Sequence, residues 1–171
     1  MKVGILTVSD RSARGEREDR SGPAIKDIVS TKPWDIVGPA LVSDDQPKIE
    51  AQLVQWADDD GLDLILTTGG TGFAARDRTP EATLAVCDRM APGLVEAMRA
   101  ASLRVTPHAM LSRAQAGIRG RTLIINLPGS PKAVRETLQV IMPALPHALQ
   151  VLGDADEAEA GHDQPQGRRE I

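Results

Sequence analysis

Aromatic side chains are nearly missing from this chain of 171 residues, which holds two Trp, one Phe and no Tyr. The length suits one α/β domain rather than two, so its core must be built almost wholly from aliphatic side chains. Cysteine is scarce as well. Cys87 stands alone, which excludes an internal disulfide, and no Cys/His cluster offers zinc or an iron–sulfur centre a home. No apolar run approaches the roughly 20 residues that cross a bilayer. The opening MKVGILTVSD has no small-residue cleavage site and continues as a strand pattern, so it does not read as a signal peptide. These absences together predict a cytoplasmic protein with no membrane partner.

A charge excess is missing from most of the chain too. Of 24 acidic residues six fall between Gly153 and Ile171, against two of the 20 basic ones, leaving residues 1–152 with eighteen of each sign. A neutral body lacks the broad basic face that nucleic-acid binding requires. Residues 153–171 are polar and aperiodic and read as a disordered acidic tail, outside a catalytic domain of residues 1–152.

What is present alternates. Val3–Val8 is a nearly continuous apolar run, as expected of a strand covered on both faces. A polar stretch, Ser9–Arg20, leads to a helix over Pro23–Ser30 with Ile25, Ile28 and Val29 on one side. Asp35–Val42 reads as a second strand, and Pro47–Asp59 as a helix with Ile49, Leu53 and Trp56 aligned. Leu62–Thr68 is a third strand, followed by the loop Gly69–Arg78. Thr79-Pro80-Glu81 has the order of a helix start, with Thr79 as N-cap. Helices are predicted over Pro92–Arg104 and Pro131–Met142, the second with Val134, Leu138 and Ile141 aligned, and a last strand over Arg121–Leu127. Ala109–Gly120 fits either a hairpin or a loop over the sheet edge. Alternating strands and helices specify one domain with a mainly parallel sheet between two helical layers, that is, a three-layer α/β/α fold.

Ligands of such sheets bind beyond the carboxyl ends of the strands, where four segments carry the chemistry. In TTGGTGFAARDRTPE three glycines within four residues free the backbone to approach an anion closely. The loop is not a Walker A motif, since no Gly-Lys-Ser/Thr follows, and its GGxG spacing is not the dinucleotide fingerprint. Asp44 and Asp45 open the loop after the second strand, and Asp77 takes the equivalent position one strand later. The pair Asp44 and Asp77 suits one Mg²⁺ carried by a polyphosphate, although Asp44 or Asp45 reads equally well as a helix cap. Ser21, after Asp19-Arg20, is placed to cap the first helix. Ser130 before Pro131 is placed to cap the last, giving a second phosphate-sized site. Arg11, Arg14, Arg17 and Arg20 are interleaved with acids, as in a solvated loop. His108, His147 and His162 lack ligand spacing, Cys87 reads as a small buried side chain, and no nucleophile–base set supports acyl-enzyme chemistry.

Four motifs together carry a resemblance: VSDRSARGEREDRSG, LVSDDQPKIE, TTGGTG with Arg76-Asp77 and TPEAT, and NLPGSPKAV. From residue 3 to about 150 the chain resembles the MogA/MoaB family of molybdenum-cofactor biosynthesis, to which the G domain of gephyrin also belongs. The resemblance implies Mg²⁺-dependent transfer of AMP from ATP to the phosphate of molybdopterin, with release of pyrophosphate. It implies Asp44 and Asp77 as the catalytic, metal-holding acids. Gly69, Gly70, Thr71 and Gly72 correspond to nucleotide-binding backbone, and Ser9, Asp19, Ser21, Gly22 and Ser130 to substrate-binding positions. It further implies a homotrimer, for which the Leu94/Met98/Ala101 face is a candidate contact unless it is core, and hand-over of the product to a molybdenum-inserting protein. A Mg²⁺-dependent nucleotide-pyrophosphate hydrolase and a non-enzymatic pterin-binding scaffold are the alternatives.

Overall fold

The computed structural model describes residues 1–153. Strands β1 (Lys2–Val8), β2 (Asp35–Val42), β3 (Leu64–Thr68) and β6 (Thr122–Leu127) pair in parallel in the order β2-β1-β3-β6. The sheet is completed by the antiparallel β5 (Ala116–Arg119) and the two-residue β4 (Arg89–Met90). The ambiguous Ala109–Gly120 segment is therefore partly a hairpin arm, β5 to β6, preceded by a 3₁₀ turn at Pro107–Leu111.

The apolar runs of β1, β3 and β6 are buried on both faces because helices cover both. Val3, Ile5, Leu64, Leu66, Leu123 and Ile125 face α2 (Ser21–Val29), α5 (Pro92–Leu103), α6 (Pro131–Ile141) and α7 (Leu145–Gly153). Leu6, Val8, Ile65 and Ile124 face α3 (Gln46–Val54) and α4 (Thr79–Val86). The predicted stripes Ile49/Leu53/Trp56 and Val134/Leu138/Ile141 are buried as expected. Trp56 is the one bulky aromatic inside the second layer, and Gly4 accommodates it: a Cβ on Gly4 would lie 2.8 Å from the indole.

The structure corrects several element boundaries. The polar stretch after β1 contains a one-turn helix, α1 (Asp10–Ala13), capped by Ser9, whose hydroxyl accepts from Ser12 N at 3.2 Å. The predicted helix over Pro47–Asp59 finishes as a π turn, Gln55–Asp59. On α5 it is Val95 and Met98 that enter the core, with Leu94 packed partly against it, so Met98 is not available as a subunit contact. Gly153, read as the start of a disordered tail, closes α7; residues 154–171, with the rest of that tail and His162, lie outside the described residues.

One buried polar group locks the layers. Asn126, fully buried on β6, donates to Thr67 Oγ1 (3.0 Å) and Thr83 Oγ1 (2.8 Å) and accepts from Gln115 N at 3.1 Å. It thereby ties α4, and the segment leading into β5, to the sheet. Asn126→Leu keeps the branching but strands these partners, so urea denaturation should show a loss of about 3 kcal/mol.

Candidate active site

The carboxyl ends of β1, β2, β3 and β6 surround a cavity of about 210 Å³ lined by Ser9, Asp19, Ser21, Asp44, Gly69, Gly70 and Asp77, among others. Parallel pairing puts these strand ends side by side, which is why motifs far apart in sequence meet here. Gly22 and Ser130 stand just behind the lining, while Thr71 and Gly72 face a second cavity across the same loop.

The glycine loop takes its shape from what lies against it. Gly69 and Gly70 have φ of +97° and +63°. A Cβ on Gly69 would come within 2.2 Å of Val8 O, and one on Gly70 within 2.4 Å of Thr79 Oγ1. Thr79 is not the N-cap that its sequence suggested. It is the first residue of α4, and its hydroxyl donates to Gly69 O at 2.9 Å, closing the loop on itself. Thr68 Oγ1 donates to Pro128 O at 2.7 Å and so fastens the loop after β3 to the one after β6. There the predicted cap holds: Ser130 Oγ accepts from Ala133 N at 3.2 Å, with Pro131 as the first residue of α6.

Asp19 performs the capping expected of Ser21. Its Oδ1 accepts from Ser21 N (3.0 Å), Ser21 Oγ (3.1 Å) and Gly22 N (3.1 Å), and its Oδ2 from Thr7 Oγ1 at 2.7 Å. A side chain on Gly22 would strike Asp19 Oδ2 at 2.4 Å, so Gly22 is required for this packing. In the first loop Arg14 and Arg20 pair with Glu16 and Glu18, while Arg17 and Arg20 border the cavity.

The two acids differ in how they are held. Asp45, not Asp44, caps α3 by accepting from Lys48 N at 3.3 Å. That frees Asp44, which exchanges bonds with Asp10: Asp10 N donates to Asp44 Oδ2 (2.7 Å) and Asp44 N to Asp10 Oδ1 (3.0 Å). Asp10 in turn receives a two-pronged ion pair from Arg76 at 3.0 and 2.9 Å. The Arg76 hydrogen bond pulls the Asp10 carboxyl below its ordinary range. Asp44 is pushed upward, first by burial and then by the charges of Asp10 and Asp77, against the hydrogen bond from Asp10 N. Asp77 accepts from Ala74 N at 2.9 Å. The Asp10–Arg76 contact escaped the sequence reading because nothing local signals it. Cys87 packs against the second core layer, its thiol pushed up to about 11 by burial, which removes it as a nucleophile.

Half-buried carboxylates with incompletely compensated charge, beside a backbone loop open to anions, suit a divalent cation that arrives with a phosphorylated ligand. Among the described residues no cluster of three or more His, Cys, Asp or Glu is spaced to hold a metal unaided, so the donor set fits an ion partly ligated by substrate. The fold and this edge define an α/β protein with a polar cavity where the parallel strands end.

The chain belongs to the MogA/MoaB family of molybdenum-cofactor biosynthesis: the family described as "probable molybdopterin binding domain" matches residues 4–147. It is 45% identical over 155 residues to a molybdopterin adenylyltransferase of Helicobacter pylori, covering 88% of this chain and 86% of that one. With the molybdopterin adenylyltransferase of Escherichia coli K12 it shares 43% identity over 147 residues, 84% of this chain and 75% of the relative. Among solved structures it resembles the molybdopterin biosynthesis enzyme MoaB of Thermus thermophilus, with a TM-score of 0.84 at 56% identity, covering 88% of this chain and 95% of that one. The expected family and the three-layer fold are thus both found.

Proposed function

We propose that this protein is a molybdopterin adenylyltransferase, joining AMP from Mg-ATP to the phosphate of molybdopterin and releasing pyrophosphate. The observation that carries the reading is the convergence of Asp44 and Asp77 on one cavity with Gly69 and Gly70, with Asp45 left to cap the helix. The named relatives support it.

Asp44 and Asp77 would hold the Mg²⁺, which when bound neutralises charge on the transferring phosphoryl group. The chain's own part is alignment. The turned backbone of Gly70–Gly72 offers N–H groups to phosphate oxygens, the Gly69 N–H being taken by Leu127 O, and the first turn of α6, behind Ser130, offers a second set. Arg17 and Arg20 at the rim reduce the repulsion between two anionic substrates. A phosphate is ionised at neutral pH, so no strong general base is needed; among the described residues, those lining the cavity include no histidine. The second cavity, about 310 Å³ with Val95, Met98, Leu111 and Ala114 in its wall, opens across the loop at Thr71 and Gly72 and suits a flat heterocycle of one substrate.

The product, adenylylated molybdopterin, is passed to a molybdenum-inserting protein in the cytoplasm. Val105 and Met110, each 62% exposed, with Leu103 and Leu111 beside them, give the proposed homotrimer an apolar contact.

Incubation with Mg-ATP and molybdopterin, followed by mass, tests the activity. Adenylylated pterin and pyrophosphate in equal amounts are expected, with Asp44→Asn lowering the rate by on the order of 10²-fold. Nucleotide cleavage indifferent to the pterin would replace this reading with that of a pyrophosphate hydrolase.

A further inference from the structure

The loop that carries Asp77 is gripped from outside the cavity by one side chain. Arg113 lies in the segment that runs from the 3₁₀ turn to β5. Its Nε donates to Gly72 O at 2.6 Å, its Nη2 to Asp77 O at 2.6 Å, and its Nη1 to Glu81 Oε1. Its own backbone N donates to Thr71 O at 2.9 Å. All of these acceptors belong to Thr71–Glu81. The Arg113 hydrogen bond holds the Glu81 carboxyl below its usual range.

A guanidinium is the one side chain that can reach two carbonyls and a carboxylate at once from a fixed plane. Its geometry matters here because the other ties on this loop, the Arg76–Asp10 pair and the Thr79 bonds to Gly69 O and Gly70 O, leave the Gly72 and Asp77 carbonyls free. The Asp77 side chain accepts from Ala74 N within the same exposed turn, and Gly72 passes so close that a Cβ there would lie 2.9 Å from Asp77 Oδ2. Fixing Gly72 O and Asp77 O therefore fixes both ends of the turn that aims the carboxylate. Phe73, Ala74, Ala75 and Arg76 between them are exposed, so packing does not do this work.

We infer that Arg113 and Glu81 form a positioning pair for the transfer reaction, holding the loop so that the Asp77 carboxylate faces Asp44 and is ready for the cation. The inference rests on the metal role proposed above for Asp77. It also gives Glu81, in the TPEAT motif, a physical reason to be an acid: it completes the guanidinium's set of acceptors.

The test uses the full chain with Mn²⁺ as the probe, its affinity in the presence of ATP read by electron paramagnetic resonance, alongside ATP affinity without metal and thermal unfolding. Arg113→Lys, which keeps the charge and loses the fork, and Glu81→Gln should each weaken Mn²⁺ binding about tenfold, in the range that loss of an outer-shell partner brings. ATP affinity without metal should stay within about twofold, since the loop N–H donors are kept. In an Asp77→Asn background the same substitutions should weaken Mn²⁺ no further, because they act through that carboxylate. A lowered unfolding temperature with wild-type Mn²⁺ affinity would reduce the pair to a structural staple and overturn the inference. Additive weakening in the Asp77→Asn background would do the same. A wild-type chain that neither binds Mn²⁺ with ATP nor turns over would overturn the proposed activity as well.

Discussion

Asp77→Asn should lower adenylyl transfer by on the order of 10²–10³-fold while leaving ATP affinity within about threefold. The amide oxygen of Asn can still accept from Ala74 N, and the backbone bonds that Arg113 makes to Gly72 O and Asp77 O are untouched, so the loop keeps its shape. What is lost is a negative charge beside Asp44. That charge is needed only where a cation must be shared between protein and phosphate, so the defect should fall on turnover rather than on nucleotide binding. Steady-state kinetics paired with calorimetric titration of ATP would separate the two. Turnover within a few-fold of wild type would remove Asp77 from the reaction, and an equal loss of ATP affinity would make it a ligand contact only.

The second large effect is expected at Gly69. Gly69→Ala forces a side chain onto a residue at φ +97°, with its Cβ 2.2 Å from Val8 O. Val8 pairs with Val42 of β2, directly after Thr7, which is held between β2 and β3, so the oxygen has little room to retreat. The substitution should destabilise the fold by on the order of 3 kcal/mol and abolish measurable transfer. Gly61 supplies the control. Its φ is +61° with nothing within 4 Å of an added Cβ, so Gly61→Ala should cost only about 1 kcal/mol and leave turnover intact. Urea midpoints of the two variants decide the matter: equal losses would mean that backbone conformation alone, not the contact with β1, sets the requirement for glycine.

Much of this architecture was legible before any coordinate. Strand β2 occupies Asp35–Val42 as its pattern suggests, and the Ser130–Pro131 start of α6 follows from cap chemistry that is local to a few residues. The three buried strands announced themselves because a strand covered on both faces can hold only apolar side chains along its length. Several of the misses share a cause, which is that their determinants are distant in sequence. Thr79 looked like a cap because Thr before Pro usually is one; its hydroxyl turned instead to Gly69 O, an acceptor that exists only once the loop has closed. Asp19 took the role given to Ser21 because its carboxylate reaches the first N–H groups of α2 and also Thr7 on β1. Arg113 and Asp10 carry no local signature at all, since their partners lie in other loops. Strand β4 is too short to show a period. Helix α7 was passed over although Pro146 stands where a first-turn proline belongs and Leu145 and Leu149 are four apart and buried.

Strand β3, whose end carries the glycine loop, sits between β1 and β6, and Leu64 pairs with both Val3 and Leu123. Pairings between such remote stretches form late in folding, because the chain must close long loops before any contact rewards it. Until those strands are side by side the cavity has no walls. If the proposed activity holds, nucleotide affinity should therefore report the whole sheet's integrity, and a bound nucleotide should slow amide exchange throughout β1, β3 and β6, not only in the turn it touches.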